Sequence, residues 1–268
     1  MFTLELIGGG RMGEALLTGL LEEEVVRRDE VAVAEVSAER RHHLQRQFPD
    51  VAVVADLVPA QSVILATKPN DAQQALAAVG SIGIGRVLSI AAGVRLQVLE
   101  AYVGPEIPVI RAMPNTPALV RQGAAAIAAG SCATEDDLQW AESILGAVGT
   151  VVRLPESALD AVTGLSGSGP AYVFLLAEAM IEAGVHQGLS RHVADQLVRQ
   201  TLLGSAQLLV QTSDSPEDLR AAVTSPAGTT SRGLLALERG AFRATIIDAV
   251  SAATERSIEM HEGNHSTP

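Results

Sequence analysis

The stretch Gly8-Gly9-Gly10-Arg11-Met12-Gly13 follows an apolar run at 4–7 and opens an amphipathic pattern at 14–21. A strand, a G-x-G-x-x-G turn and a helix in that order leave few folds open. The glycines permit a tight turn and let the backbone approach a pyrophosphate, whose charge the helix N-terminus stabilises. Gly8, Gly9, Gly10, Arg11, Met12 and Gly13 are therefore candidate dinucleotide contacts, set against the plainer reading of a glycine-rich turn with no ligand. Arg11 suits either a phosphate contact or an exposed loop position.

The surrounding pattern agrees with that turn. Runs rich in Val, Ile and Leu at 31–35, 51–54, 63–66, 87–90 and 109–112 read as strands, and amphipathic stretches at 38–48, 71–79 and 96–103 read as helices between them. Such alternation predicts a parallel sheet covered on both faces. A further strand, helix and strand are expected at 124–129, 134–147 and 151–154, with Thr134 as N-cap. After Pro155 the strand signal stops. Tyr172, Leu175, Leu176, Ala179, Met180 and Ala183 recur at helical spacing, with Gly184 as the expected stop. Ser190 opens a helix to about residue 212, Ser215-Pro216-Glu217-Asp218 opens another, and a last one runs over about 241–260. His261 to Pro268 is polar and expected to fray. The expected architecture is α/β: a Rossmann-type dinucleotide-binding domain at 1–155, then an all-α domain at 156–268. The Ala- and Leu-rich helices carry more apolar surface than a small bundle can bury, which points to a second copy of the chain.

Composition narrows the partners. The 268 residues are 47% apolar with a formal net charge of −12, and the acids are spread along the chain. A phosphate backbone needs a basic face, so nucleic acid and anionic membrane surfaces are excluded as main partners. The single Cys132 makes no intramolecular disulfide, which suits a reducing compartment. The N-terminus shows no signal-peptide pattern, and the uncharged stretch 161–177 is too short and too rich in Gly, Ser and Pro to span a bilayer. The expectation is a cytoplasmic protein acting on a small molecule.

Glu35 ends the second expected strand, where an acid accepts hydrogen bonds from the ribose hydroxyls of NAD. That favours NADH. Ser37, Arg40 and Arg41 follow closely and suit a 2′-phosphate, hence NADPH, or the solvated face of a helix, so the preference stays open. Lys68, the only lysine among nineteen Lys and Arg residues, lies in Ala66-Thr67-Lys68-Pro69 just past a strand's carboxyl end, where open α/β sheets bind ligands. Four segments expose backbone and hydroxyl groups: 89–93, 111–117, 163–172 and 224–230. The last runs into a helix and is suited to an anion such as a substrate carboxylate, although Ser225-Pro226 also suits a helix cap. His42, His43, His186, His192, His261 and His265 show no ligand spacing, so no metal site is expected. No G-x-S-x-G elbow is present.

These segments, together with Gly240-Ala-Phe-Arg243, make the chain closely similar to pyrroline-5-carboxylate reductases over nearly its whole length. The resemblance implies a Rossmann domain that holds NADPH or NADH and a helical domain that forms a homodimer, with decamers frequent in the family. It implies that 8–13 hold the pyrophosphate, that Glu35, Val36 and Ser37 meet the adenosine ribose, and that Thr67, Lys68 and Pro69 line the cofactor. Ala92 and Gly93 would approach the nicotinamide, with Asn115 among the cofactor contacts. Ser225, Gly228, Thr229 and Thr230 would hold the substrate carboxylate beside the partner subunit's nicotinamide, with Glu156 and Ser166 near the substrate. Glu156 also suits a purely structural helix start.

The implied reaction moves a hydride to the imine carbon of a cyclic imine, C5 of the proline formed, the last step of proline synthesis. A protonated imine is already electrophilic, so positioning outweighs a strong general acid. Thr230 is the candidate catalytic residue, its hydroxyl partnering the ring nitrogen while solvent supplies the proton. Two departures stand out: Ala227-Gly228 where the family commonly has Gly-Gly, and Gln61-Ser62 where it commonly carries an acid. A β-hydroxyacid dehydrogenase needs a lysine in the helical half, and none exists there. A dinucleotide-binding sensor without turnover, or a reductase of a related cyclic imine, remains the alternative.

Overall fold

The computed structural model describes residues 1–79 and 83–263. Among the described residues the chain forms two compact units, Met1–Ser168 with the chain from Ala252 onward, and Gly169–Ser251.

In the first unit eight strands build one sheet: β1 (Phe2–Ile7), β2 (Val31–Ala34), β3 (Ala52–Val54), β4 (Ala60–Leu65), β5 (Arg86–Ser89), β6 (Val109–Met113), β7 (Gly123–Ala129) and β8 (Gly149–Arg153), in the order β3-β2-β1-β4-β5-β6-β7-β8. Its helices are α1 (Arg11–Glu22), α2 (Ala38–Gln47), α3 (Pro69–Val79), α4 (Leu96–Val103), α5 (Glu135–Gly146) and the short α6 (Leu159–Val162). Side-chain alternation along the strands feeds two apolar cores. Leu4, Leu6, Val33, Ile64 and Ile110 meet α1, α2 and α5 on one face, while Ile7, Val63, Leu65, Val87 and Val109 meet α3 and α4 on the other. This is the doubly covered sheet that the strand–helix alternation predicts.

One strand departs from the all-parallel expectation. β7 pairs antiparallel with β6, Arg111 lying opposite Ala128, whereas every other described pair is parallel. The cause is length. Only the residues between Met113 and Gly123 join the two strands, and they form a 3₁₀ turn at Thr116–Val120. A parallel crossover needs a dozen or more residues. α5 then carries the chain over to β8, parallel to β7.

The second unit holds α7 (Gly169–His186), α8 (Arg191–Gln211), α9 (Pro216–Ala222), α10 (Thr229–Arg239) and the first part of α11 (Phe242–Gly263). The caps read from the sequence are in place: Ser190 Oγ accepts from Val193 N at 3.3 Å, and Ser215 Oγ accepts from Asp218 N at 3.1 Å. Gly184 is not the stop. It lies inside α7, where a Cβ would come 3.1 Å from the Ala194 Cβ of α8, and the chain turns at Gly188 with φ +93°. Gly184 thus serves helix packing rather than termination. α11 also continues past Met260 to Gly263, and the remainder of the tail expected to fray, 264–268, lies outside the described residues. Its last turns pack with the first unit, where Ser257 Oγ donates to Asp160 Oδ1 at 2.6 Å. No helix among the described residues is long and apolar enough to cross a membrane.

Candidate dinucleotide and substrate site

The turn 8–13 joins the carboxyl end of β1 to α1. Gly8 has φ +104°, and a Cβ there would stand 2.7 Å from the Ala66 carbonyl oxygen; a Cβ on Gly13 would stand 2.2 Å from the Gly8 carbonyl oxygen. Only glycine lets β1, the turn and the start of α1 approach so closely. Gly10 is the N-cap of α1, makes no side-chain cap, and faces open space where a Cβ would meet nothing within 4 Å. An uncapped helix N-terminus behind an open glycine cradle is what a pyrophosphate requires.

Residues of β2 and α2 brace this turn. Glu35 Oε2 accepts from Gly9 N at 2.9 Å and its Oε1 accepts from Ser37 N at 2.8 Å. Arg40 donates from Nε to the Gly9 carbonyl and from Nη2 to Glu14, with a longer contact to the Gly10 carbonyl. Arg40 and the neighbouring His43 hold the Glu14 carboxyl below its usual range against the opposing cost of burial. Arg41 Nη1 donates to the carbonyl oxygens of Glu35 and Val36 at 2.7 and 2.8 Å. Ser37 caps α2 through Arg40 N, and the Val36 side chain is exposed. The structure thus joins Glu35, Ser37, Arg40 and the glycine turn in one hydrogen-bonded group. Glu14 and Arg40 are braces that sequence reasoning did not assign as a pair, because they stand 26 positions apart.

Thr67 follows β4 beside the same turn. Its Oγ1 is buried and has no hydrogen-bond partner among the described residues. A buried hydroxyl left unanswered at the rim of a glycine cradle fits a ligand that completes its bonding. Lys68 is exposed beside it, and Pro69 opens α3. The turn between β5 and α4 carries Ala92 and Gly93, with Gly93 at φ +75°. Asn115 is spent internally: its Nδ2 donates to the Ser166 carbonyl at 2.9 Å and its Oδ1 accepts from Ala124 N at 2.8 Å. That ties β7 to a π-helical turn at Thr163–Gly167, where Ser166 Oγ donates to the Val162 carbonyl. Such turns recur at functional sites. Glu156 Oε1 accepts from Leu96 N at 2.7 Å and from Arg111 Nη1 at 2.8 Å. Arg111 belonged to a segment singled out in the sequence but carried no assigned role; an arginine inside the apolar run of β6 is the signal that marks it.

In the second unit, Gly228 is the N-cap of α10 and provides no side-chain cap. Gly228 N donates to the Ser225 carbonyl at 3.1 Å, closing a turn with Pro226 second and Ala227, φ +58°, third. A Cβ on Gly228 would stand 2.3 Å from Ser225 Oγ. Thr229 and Thr230 form the first turn of α10, with Thr230 half-buried. The serine hydroxyl and the uncapped helix start make an anion-suited loop. Among the described residues no cluster of three His, Cys, Asp or Glu side chains is arranged to hold a metal.

Residues 3–93 match the family described as NADP oxidoreductase coenzyme F420-dependent, and residues 156–260 match pyrroline-5-carboxylate reductase dimerisation. A pyrroline-5-carboxylate reductase from a Synechocystis species is 44% identical over 263 residues, spanning 96% of this chain and 97% of its own. A solved reductase of that name from Coxiella burnetii superposes with a TM-score of 0.90 at 34% identity, covering 97% of this chain and 98% of its own. A pyrroline carboxylate reductase from Plasmodium falciparum, solved with NADP bound, gives a TM-score of 0.83 at 29% identity, covering 97% of this chain and 98% of its own. Similarity of this extent runs through the glycine cradle, the turn before α4 and the loop before α10, and the chain belongs to the pyrroline-5-carboxylate reductase family.

Proposed function

We propose that this chain reduces 1-pyrroline-5-carboxylate to L-proline, the last step of proline biosynthesis, as an NAD(P)H-dependent oxidoreductase acting on a CH–NH bond. The observation that carries the reading is end-to-end similarity to proteins of that name, joined to an open glycine cradle in this chain. The cradle and the α1 N-terminus would hold the pyrophosphate, Glu35, Val36 and Ser37 the adenosine ribose, and Thr67, Lys68, Pro69, Ala92 and Gly93 the rest of the cofactor. A reduced nicotinamide dinucleotide held there would supply a hydride to the imine carbon, which becomes C5 of the proline formed, while the C=N bonding pair of the protonated imine would move onto its nitrogen. The chain's own part is positioning. Ser225, Gly228, Thr229 and Thr230 fix the substrate carboxylate at the α10 N-terminus, with Ser166 near the substrate. The Thr230 hydroxyl accepts a hydrogen bond from the ring N–H, and solvent is the proton source.

The finer assignment of cofactor is NADH. Glu35 sets a negative charge at the end of β2, where a 2′-phosphate would sit, and Arg40 is engaged by the turn and by Glu14. The assembly is a homodimer, extended to a decamer, and a cytoplasmic site suits the single free Cys132. The test is loss of nicotinamide absorbance on adding pyrroline-5-carboxylate, run separately with NADH and NADPH. Turnover supports the reading. Cofactor binding without turnover moves the assignment to a sensor or to another cyclic imine. Thr230→Val lowers kcat/KM by about tenfold or more in this scheme, and an unchanged value removes Thr230 from the chemistry.

A further inference from the structure

Arg111 is buried in the middle of β6 and pairs with Ser89, the last residue of β5, at whose carboxyl end an open α/β sheet places its ligands. Its guanidinium reaches Glu156, and the oxygen that receives it also accepts the backbone N–H of Leu96. Leu96 is the first residue of α4, whose N-cap, Arg95, makes no side-chain cap. A carboxylate 60 positions away in sequence therefore caps this helix. It meets two positive partners at once, a buried guanidinium and a helix N-terminus.

The consequence falls on the turn 90–95. At its start the turn is held by Ile90 N donating to the Leu65 carbonyl at 3.0 Å and by Ala91 N donating to Ser89 Oγ at 3.4 Å. At its end the Glu156 carboxylate fixes Leu96. Between those anchors lies Gly93, whose φ of +75° gives the turn its shape. We infer that Glu156 is a positioning residue that acts through the Leu96 amide and Arg111 to hold the turn 90–95 against the nicotinamide, rather than a group that touches the substrate. This rests on the reductase reading above. The adenosine half of the cofactor is held by a different turn, 8–13, braced by Glu35 and Arg40. Removing the charge at Glu156 therefore loosens one end of the cofactor's seat and leaves the other intact. Misplacing a reacting centre by about 1 Å costs roughly a hundredfold in rate without a matching loss of affinity.

The test uses Glu156→Gln, which keeps the shape and an accepting oxygen but removes the charge, and Glu156→Ala, which removes both. Four quantities are read: the single-turnover hydride-transfer rate, the dinucleotide Kd by calorimetry, the thermal midpoint, and amide hydrogen exchange over 90–96. The Gln variant is expected to bind the dinucleotide within about threefold of the parent, to transfer hydride at least tenfold more slowly, and to exchange faster over 90–96. The Ala variant is expected to go further in the same direction; should it fail to fold, the Gln variant decides. Unchanged exchange over 90–96 in the Gln variant overturns the inference. So does a rise in KM for the imine with kcat intact, which marks a direct substrate contact, and so does a raised dinucleotide Kd together with a lower rate and a lower midpoint, which marks a merely structural pair. A parent protein that binds dinucleotide but turns over no pyrroline-5-carboxylate would count against the reductase reading. Exchange and Kd would then still decide the role of Glu156.

Discussion

Glu5 is fully buried on β1, the strand between β2 and β4, and its side chain is answered only at Oε1, which accepts from Val58 N at 2.9 Å. Oε2 has no partner among the described residues. Burial pushes the carboxyl up to about 7 from 4.5, against the smaller lowering by the Val58 N–H. Because the folded value lies above the unfolded one, the stabilising contribution is complete below pH 4.5 and is lost as pH rises through 7. The difference between those limits is about 3 kcal/mol. Glu5→Gln should therefore leave unfolding free energy nearly unchanged at pH 4.5 and raise it by up to that amount at pH 8; equal pH profiles for parent and variant would contradict the argument. Ala227 carries a separate local cost. It holds φ +58° at the third position of the turn closed by Ser225 and Gly228, a place that suits glycine. Left-handed backbone costs a non-glycine residue about 1–2 kcal/mol, partly offset by the greater unfolded-chain entropy of glycine. Ala227→Gly is expected to stabilise the protein by about 0.5–1 kcal/mol, read as a small rise in the thermal midpoint. The sequence comparison of Ala227 with the family's glycine exposed this strain. Nothing in the run Thr3-Leu4-Glu5-Leu6-Ile7 told which face of a doubly covered strand would have to bury the acid.

At the scale of elements, the strand–turn–helix start was legible because its reasons are local: glycines at fixed offsets and apolar runs of strand length, as the serine caps before α8 and α9 are local. The direction of β7 was less so. Its apolar run resembles that of a parallel strand, and only the short link from Met113 to Gly123 reverses it. The roles of Arg40 and Arg41 were not legible, since a guanidinium at the start of α2 can face solvent, a phosphate or the neighbouring turn. The fold settles that by placing Glu14 and the Gly9 carbonyl within reach of Arg40. This arrangement gives the cofactor prediction its sign. With Arg40 engaged by Glu14 and Arg41 held to the Glu35 and Val36 carbonyls, the Glu35 carboxylate stands against the glycine turn, so NADH should give the higher kcat/KM. Glu35→Ser removes the repulsion of a 2′-phosphate but also frees Gly9 N from its acceptor. Both cofactors should then bind less well, while the NADPH-to-NADH ratio of kcat/KM rises by about tenfold or more. A ratio that stays fixed would place the discrimination elsewhere.

The two units differ in how they satisfy their apolar residues. The sheet of the first is covered on both faces and buries a continuous set of Leu, Ile and Val. Among the described residues of Gly169–Ser251, only Ile181, Ala194 and Val198 are buried, at the contact of α7 with α8. Phe174 and Leu175 on α7 are 62% and 66% exposed, and Leu203, Leu208 and Leu209 on α8 are also exposed. Each large apolar side chain transferred from water contributes about 1.5–3 kcal/mol, so a helical unit that leaves this many outside gains most of its stability from what covers it. Large apolar side chains exposed in such number mark an interface, and the match of 156–260 to a dimerisation family names a second copy as the cover. Stability should then depend on protein concentration, with the thermal midpoint rising as the chain is concentrated. Phe174→Asp combined with Leu175→Asp sets charges into the interface of both copies at once. The expected result is a sedimentation mass that falls to that of a single chain and a midpoint that no longer responds to concentration. The sheet unit, with its own core, should keep its dinucleotide affinity. A double variant that retains the parent's mass would put the dimer contact on another face of the helices.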